Sequence, residues 1–113
     1  MEYRKLSDFT RGWFIGDFEP SLLKTDQFEV ALKIYSQNDS EEPHFHGLAI
    51  EYNLIVSGSV EMTNILTGET LILYKNEICV VKQGEPIKFT ALTNAKVLVI
   101  KIPSCKNDKY MVT

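Results

Sequence analysis

From Phe28 to Tyr35 the chain reads Phe-Glu-Val-Ala-Leu-Lys-Ile-Tyr, with apolar side chains at 28, 30, 32 and 34. That period of two is the repeat of a β-strand whose faces meet different environments. It predicts a strand with Phe28, Val30, Leu32 and Ile34 packed inward. Lys33 and Tyr35 fall on the other face, Lys33 by preference in solvent. The polar stretch Asn38-Asp39-Ser40-Glu41-Glu42-Pro43 then reads as a loop.

Short apolar runs separated by turn residues continue to the end. His44 to Leu48 and Ile50 to Val56 close on Ser57-Gly58-Ser59, and Val60 to Leu66 on Thr67-Gly68-Glu69. Leu71 to Tyr74 meets Lys75-Asn76, and Ile78 to Val81 meets Gln83-Gly84-Glu85-Pro86. Ile87 to Leu92 meets Thr93-Asn94, and Val97 to Ile102 stops at Pro103. About seven short strands at even spacing, rich in β-branched residues, predict an all-β sandwich or barrel. The only helical signals are single turns near Leu6-Ser7-Asp8-Phe9 and Glu19-Pro20-Ser21-Leu22-Leu23. The aromatic pair Trp13 and Phe14, within the stretch Arg11 to Phe18, is expected to plug one end of the barrel or pack between subunits.

Length and composition narrow this picture. With 113 residues, 44% hydrophobic and 24% charged, the chain suits one domain with one core. The barrel is expected over about 28–102, with an N-terminal arm 1–27 and a polar tail 103–113. A net charge of −3 gives no reason to expect nucleic acid or an anionic membrane as partner. No apolar run approaches the roughly 20 residues of a membrane span, and the polar start leads into no signal-peptide core. Cys79 and Cys105 have no CxxC partner; Cys79 reads as a buried, inert thiol, with a disulfide to Cys105 the alternative. A cytoplasmic protein is the expectation.

The candidate chemistry lies in the only two histidines, His44 and His46. Residues two apart on a strand share a face, so both imidazoles can reach one ion. Glu51 follows after four residues and Gly58 after six more. Two imidazole nitrogens and a carboxylate with open positions suit ferrous iron or zinc, and manganese or nickel fit the same ligand types. A metal-free, hydrogen-bonded cluster contacting a ligand directly is the competing reading. Strand parity puts Asn53 and Ile55 on the Glu51 face and Tyr52, Leu54 and Val56 on the other.

The run His44-Phe45-His46, four residues, Glu51, six residues, Gly58 resembles the first signature motif of the cupins. Gln83-Gly84-Glu85-Pro86 with Phe89 is similar to the turn of their second motif. The two stretches and the strands between them span about residues 38 to 100. The resemblance implies a jelly-roll barrel, with His44, His46 and Glu51 as ligands of a divalent iron, manganese, zinc or nickel ion. Two departures stand out: Asn38 replaces a glycine, and Ile87 occupies the position of the third histidine. Ile87, Phe89 and Ala91 would then share one inward face, and Asn53, Ile87 and Phe89 become candidate pocket residues.

For function the resemblance implies a pocket for a small organic molecule, such as a sugar or small acid. A metal-dependent isomerase, epimerase or dioxygenase is one reading; the alternative is a non-catalytic binding module. No motif position supplies an obvious general base. A homodimer covering edge strands is expected, with the N-terminal segment through Phe18 as the docking surface.

Overall fold

The computed structural model describes residues 1–112 and is all-β apart from one 3₁₀ turn at Leu6–Asp8. Residue 113 of the polar tail lies outside the described residues. The strands are β1 (Trp13–Ile15), β2 (Glu29–Tyr35), β3 (Ser40–His46), β4 (Ile50–Ser57) and β5 (Ser59–Asn64). They continue with β6 (Thr70–Tyr74), β7 (Ile78–Val81), β8 (Ile87–Ala91), β9 (Ala95–Ile102) and β10 (Lys109–Met111). Sheet A has the order β1-β2-β9-β4-β7 and sheet B the order β10-β3-β8-β5-β6. Every named pairing is antiparallel. Among the described residues no helix is long and apolar enough to cross a membrane.

Between the sheets lies a core of Ile55, Val60, Met62, Leu73, Val81, Phe89, Ala91, Ala95, Val97 and Val99. Ile55, Val60 and Val97 are its largest fully buried side chains. Each contributes about 1.5–3 kcal/mol relative to exposure. Register across sheet A turns the inner face from apolar to polar in three rows. Ile55 and Lys33 flank Val97, Asn53 and Ala31 flank Val99, and Glu51 and Glu29 flank Lys101. The core therefore fills one end of the barrel and leaves a polar cavity at the other.

Turn chemistry sets where the strands reverse. At Gly58, φ is +78° and an added Cβ would overlap the Asn94 carbonyl oxygen, so only glycine fits. Asn38 takes φ 73°, the left-handed conformation that Asn tolerates in place of glycine.

Three expectations change. The alternating strand exists, but its faces are reversed. Ala31 is fully buried, Glu29, Lys33 and Tyr35 line the cavity, and Val30, Leu32 and Ile34 face out, Ile34 being 63% exposed. A period of two shows that two faces differ, not which is inside; here the inside is polar. The stretch read as a loop before His44 is strand from Ser40 onward, pairing Ser40 with Thr90 and Glu41 with Phe89. Its exposed polar residues hide that pairing from a hydrophobicity pattern. Finally, the sheets extend past residues 28–102 at both ends: β1 joins β2, and β10 joins β3.

Candidate metal centre

His44 and His46 end β3, and Glu51 opens β4 after a tight turn. Asp108 builds that turn. Its buried carboxylate accepts the backbone N–H groups of Gly47, Leu48 and Ala49 at 2.9–3.1 Å. From the other side, the Gly84 N–H donates to the His46 carbonyl at 2.8 Å. The β10 pairing adds a stacked Phe45–Tyr110 pair with centroids 5.2 Å apart. The histidine strand is thus fixed at its edge, its end and its turn.

One ligand atom each from His44, His46 and Glu51 lies within 4.8 Å of the other two. His46 is 4% exposed, and its Nε2 stands 3.1 Å from Glu51 Oε2. That approach lacks hydrogen-bond geometry. Nε2 is the one buried side-chain nitrogen or oxygen among the described residues without a hydrogen-bond partner. His44 Nδ1 lies 2.9 Å from the Glu42 carbonyl, which fixes the proton on Nδ1 and leaves Nε2 with a free lone pair.

Electrostatics keep the set in ligand form. Burial pushes the His44 pKa below its usual value, outweighing the Glu42 hydrogen bond. For Glu51, burial acts upward, but the His46 contact, the Lys101 charge and the charge the two imidazoles carry only when protonated bring the net shift down; with neutral imidazoles Lys101 is the charge that remains. A neutral imidazole and an ionised carboxylate are what a divalent cation requires. An orphaned buried nitrogen, a tautomer-fixed imidazole and a depressed carboxylate fit a metal ion as the missing partner.

The cavity around this cluster has a volume of about 630 Å³. It receives Asn53, Ile87 and Phe89, the three residues proposed from parity and resemblance, and also Met62. Ile87 is the direct cross-strand partner of His44, so a sec-butyl group stands beside the cluster. Asn53 is buried and donates to the Cys79 carbonyl at 3.5 Å.

The structure brings in both Lys33 and Tyr35, of which the sequence offered one for the pocket mouth, and adds residues that sequence reasoning missed. Lys33 lines the cavity instead of sitting in solvent, and burial pushes its pKa down. Tyr35 packs on Phe89 at 4.5 Å and donates its hydroxyl to Glu41 at 3.4 Å. Burial and Glu41 raise the Tyr35 pKa, so the phenol keeps its proton. Glu41 reaches the cavity because a bulge between Glu41 and His44 shifts the register. Lys101 was readable: it shares parity with Val97 and Val99. Trp13 and Phe18 line the cavity wall, 6.4 Å apart edge to face, instead of plugging an end. Both cysteines are free thiols, and burial raises the pKa of half-buried Cys79.

Comparison with solved structures settles the fold. An RmlC-like cupin protein from Desulfovibrio desulfuricans superposes with a TM-score of 0.62 at 18% identity, over 70% of this chain and 74% of that one. The chain has the cupin fold. KdgF from Halomonas sp. gives 0.66 at 18% identity over 74% of each chain. The polyketide cyclase RemF from Streptomyces resistomycificus gives 0.65 at 22% identity, over 78% of this chain and 62% of that one. No protein-family model matches the chain, and no curated protein does. At such identities the chain shares a scaffold with these proteins, and its chemistry has to be argued from its own cavity.

Proposed function

We propose that the cavity is a divalent-metal pocket, held by His44, His46 and Glu51, that binds a small organic molecule such as a sugar or small acid. The observation that carries this is the convergence of one ligand atom each from His44, His46 and Glu51 within 4.8 Å, with the buried His46 Nε2 beside the Glu51 carboxylate but in no well-formed hydrogen bond. Leaving such a nitrogen unsatisfied costs about 1–3 kcal/mol, a penalty that coordination removes. Iron, manganese, zinc and nickel suit the donor set. When bound, the ion supplies Lewis-acid polarisation of an oxygen on the ligand.

The chain's own residues then divide the work. Ile87, Phe89, Val81 and Val99 exclude water from one wall. The Tyr35–Glu41 pair presents a phenol held protonated by its raised pKa, a hydrogen-bond anchor for a ligand oxygen and not a proton donor in turnover. A dioxygenase would use the same centre. Ile87 beside His44 favours the second reading, capture without turnover, because it removes a ligand and adds an apolar surface.

Metal analysis of protein purified without chelator tests the centre. We expect close to one equivalent of metal, and a loss of at least tenfold in metal content for a folded His46→Ala variant. Metal-free native protein that takes up no added zinc, iron, manganese or nickel would sink the reading. A small molecule seen unchanged by native mass spectrometry would favour capture over turnover.

We also propose that two copies pair through the outer face of sheet A. Tyr52, Leu54, Ile78, Leu98, Ile100 and Ile102 form one apolar groove there, with no ionisable group beyond the Tyr52 phenol. Ile34, at 63% exposure, and Val80, at 44%, add to it. Together they expose on the order of several hundred Å², near the roughly 800 Å² per partner of a stable interface and beyond what monomers usually leave open. The groove itself carries no charge, with Lys96 only at its margin beside Ile34, and an apolar groove calls for an apolar occupant, which the same face of a second copy is. The free thiols suit a reducing compartment such as the cytoplasm.

A further inference from the structure

Three lysines, Lys33, Lys101 and Lys109, line the cavity, and two of them gather their ammonium groups around Trp13. Lys33 Nζ lies 5.3 Å and Lys101 Nζ 4.9 Å from the centre of the Trp13 ring. Both side chains line the cavity and neither is exposed. Among the described residues neither forms an ion pair. Lys33 reaches only the Arg11 carbonyl, at 3.4 Å.

The neighbouring carboxylates compensate the pair only in part: Glu41 acts on Lys33, and Glu29 and Glu51 act on Lys101, each from beyond ion-pair distance. Glu51 stands against His46, and Glu41 accepts from Tyr35. Glu29 sits opposite Lys101 in the β2–β9 register without closing to ion-pair distance. Half-buried ammonium groups are rare unless something compensates them. The Trp13 ring compensates them only in part, since a cation–π contact is worth only about 0.5–2 kcal/mol.

We infer that Lys33 and Lys101, arranged around Trp13, form an anion subsite that receives the carboxylate of a small organic acid. The rest of that acid lies along Ile87 and Phe89 toward His44, His46 and Glu51. The inference rests on the metal-pocket reading only for this direction; the anchors belong to sheet A and do not depend on the ion. It narrows "sugar or small acid" to an acid and makes β2 a binding strand. Lys101 has a second neighbour in Glu51, its cross-strand partner on β4. A ligand carboxylate on Lys101 therefore sits one strand from the metal ligand, within the span of a small molecule.

Trp13 is the only tryptophan, so its fluorescence reports this subsite directly. The probes are phenylacetate and its neutral amide, phenylacetamide, which share an aromatic ring and differ in charge. Each is titrated up to millimolar concentration into the full chain, first stripped with EDTA and then reloaded with zinc. We expect phenylacetate to bind at least tenfold more tightly than phenylacetamide, already in the stripped protein. Lys33→Met and Lys101→Met, checked for folding by circular dichroism, each lose about tenfold for the acid and little for the amide. Lys101→Arg retains the preference for the acid, which separates charge from packing should a methionine variant misfold. No preference for the anion, whether both probes bind or neither does, overturns the inference. So does a preference that survives the folded double variant. Zinc uptake by the same samples, measured by calorimetry, is read separately. If zinc fails to bind while the acid is still preferred, the metal reading falls and the subsite stands.

Discussion

On sheet A the inner side carries Glu29, Lys33, Tyr35, Glu51, Asn53 and Lys101, while the outer side carries Val30, Leu32, Ile34, Tyr52, Leu54, Ile78, Leu98, Ile100 and Ile102. Beside the inward core residues Ala31, Ile55, Val81, Val97 and Val99, these inner polar groups and the apolar outer side depart from the usual distribution, in which apolar groups go in and charges go out. Each departure has a physical condition. Charges stay inside only where a cavity, a partner or a ligand meets them, and here they cluster at the end where the core is absent. Apolar side chains stay outside only where something covers them, which is the argument for a second copy on that face. The inner side is thus organised around a small molecule and the outer side around a protein surface.

The sharpest way to break the comparison is to attack the one part of the inner side that behaves conventionally. Ile55 is fully buried between the sheets, at the apolar end of the polar-to-apolar gradient. Ile55→Ala leaves a cavity there and is expected to cost about 3 kcal/mol, or roughly 15 °C in Tm. Thermal denaturation followed by circular dichroism measures it. A loss under about 1 kcal/mol would mean that the core does not hold the two sheets as described.

The outer side predicts a different signature. Ile100→Glu puts a charge at the centre of the apolar groove, where the wild-type chain has none. Dimer affinity should fall by a factor of 100 or more, about 2.7 kcal/mol, while the subunit keeps its fold. Sedimentation equilibrium over a concentration series reads the change. A wild-type chain that is monomeric at high micromolar concentration removes the proposal. Retained dimerisation in the variant moves the interface elsewhere.

How much of this was legible beforehand follows from the kind of signal each residue gives. His44, His46 and Glu51 stood out because rare residue types recur at a spacing that strand geometry makes meaningful. Ile87 could be placed beside them because a turn motif fixed the start of β8. The face of β2 was not legible, since alternation carries no label for inside when the inside is polar. Glu41 was hidden by a bulge, which shifts parity in a way that no local residue type announces. Asp108 and β10 were hidden for another reason. Their role is to accept backbone N–H groups and to pair an edge, and neither function leaves an apolar pattern in the chain.

The smallest expected effect tests the inner side most directly. Lys33 is held in the cavity at an electrostatic cost, visible as a pKa pushed below its ordinary value chiefly by burial. A group whose charged form is disfavoured in the folded state destabilises that state wherever the unfolded chain keeps the charge. Lys33→Met removes the penalty while retaining a similar unbranched stem, so it should raise Tm by roughly 3 °C at pH 7. The sign of the pH dependence follows from linkage. Because the folded pKa is the lower one, the unfolded chain binds more protons between the folded value and 10.5, and wild-type stability gains from Lys33 as pH rises through that window. Above 10.5 both states are neutral and the penalty is gone. The advantage of the methionine variant should therefore be largest at neutral pH and shrink toward pH 10.5, as measured by paired thermal scans. A variant that is less stable than wild type at neutral pH would show that Lys33 already has a compensating partner within the chain. In that case its ammonium group would no longer need an anion from outside.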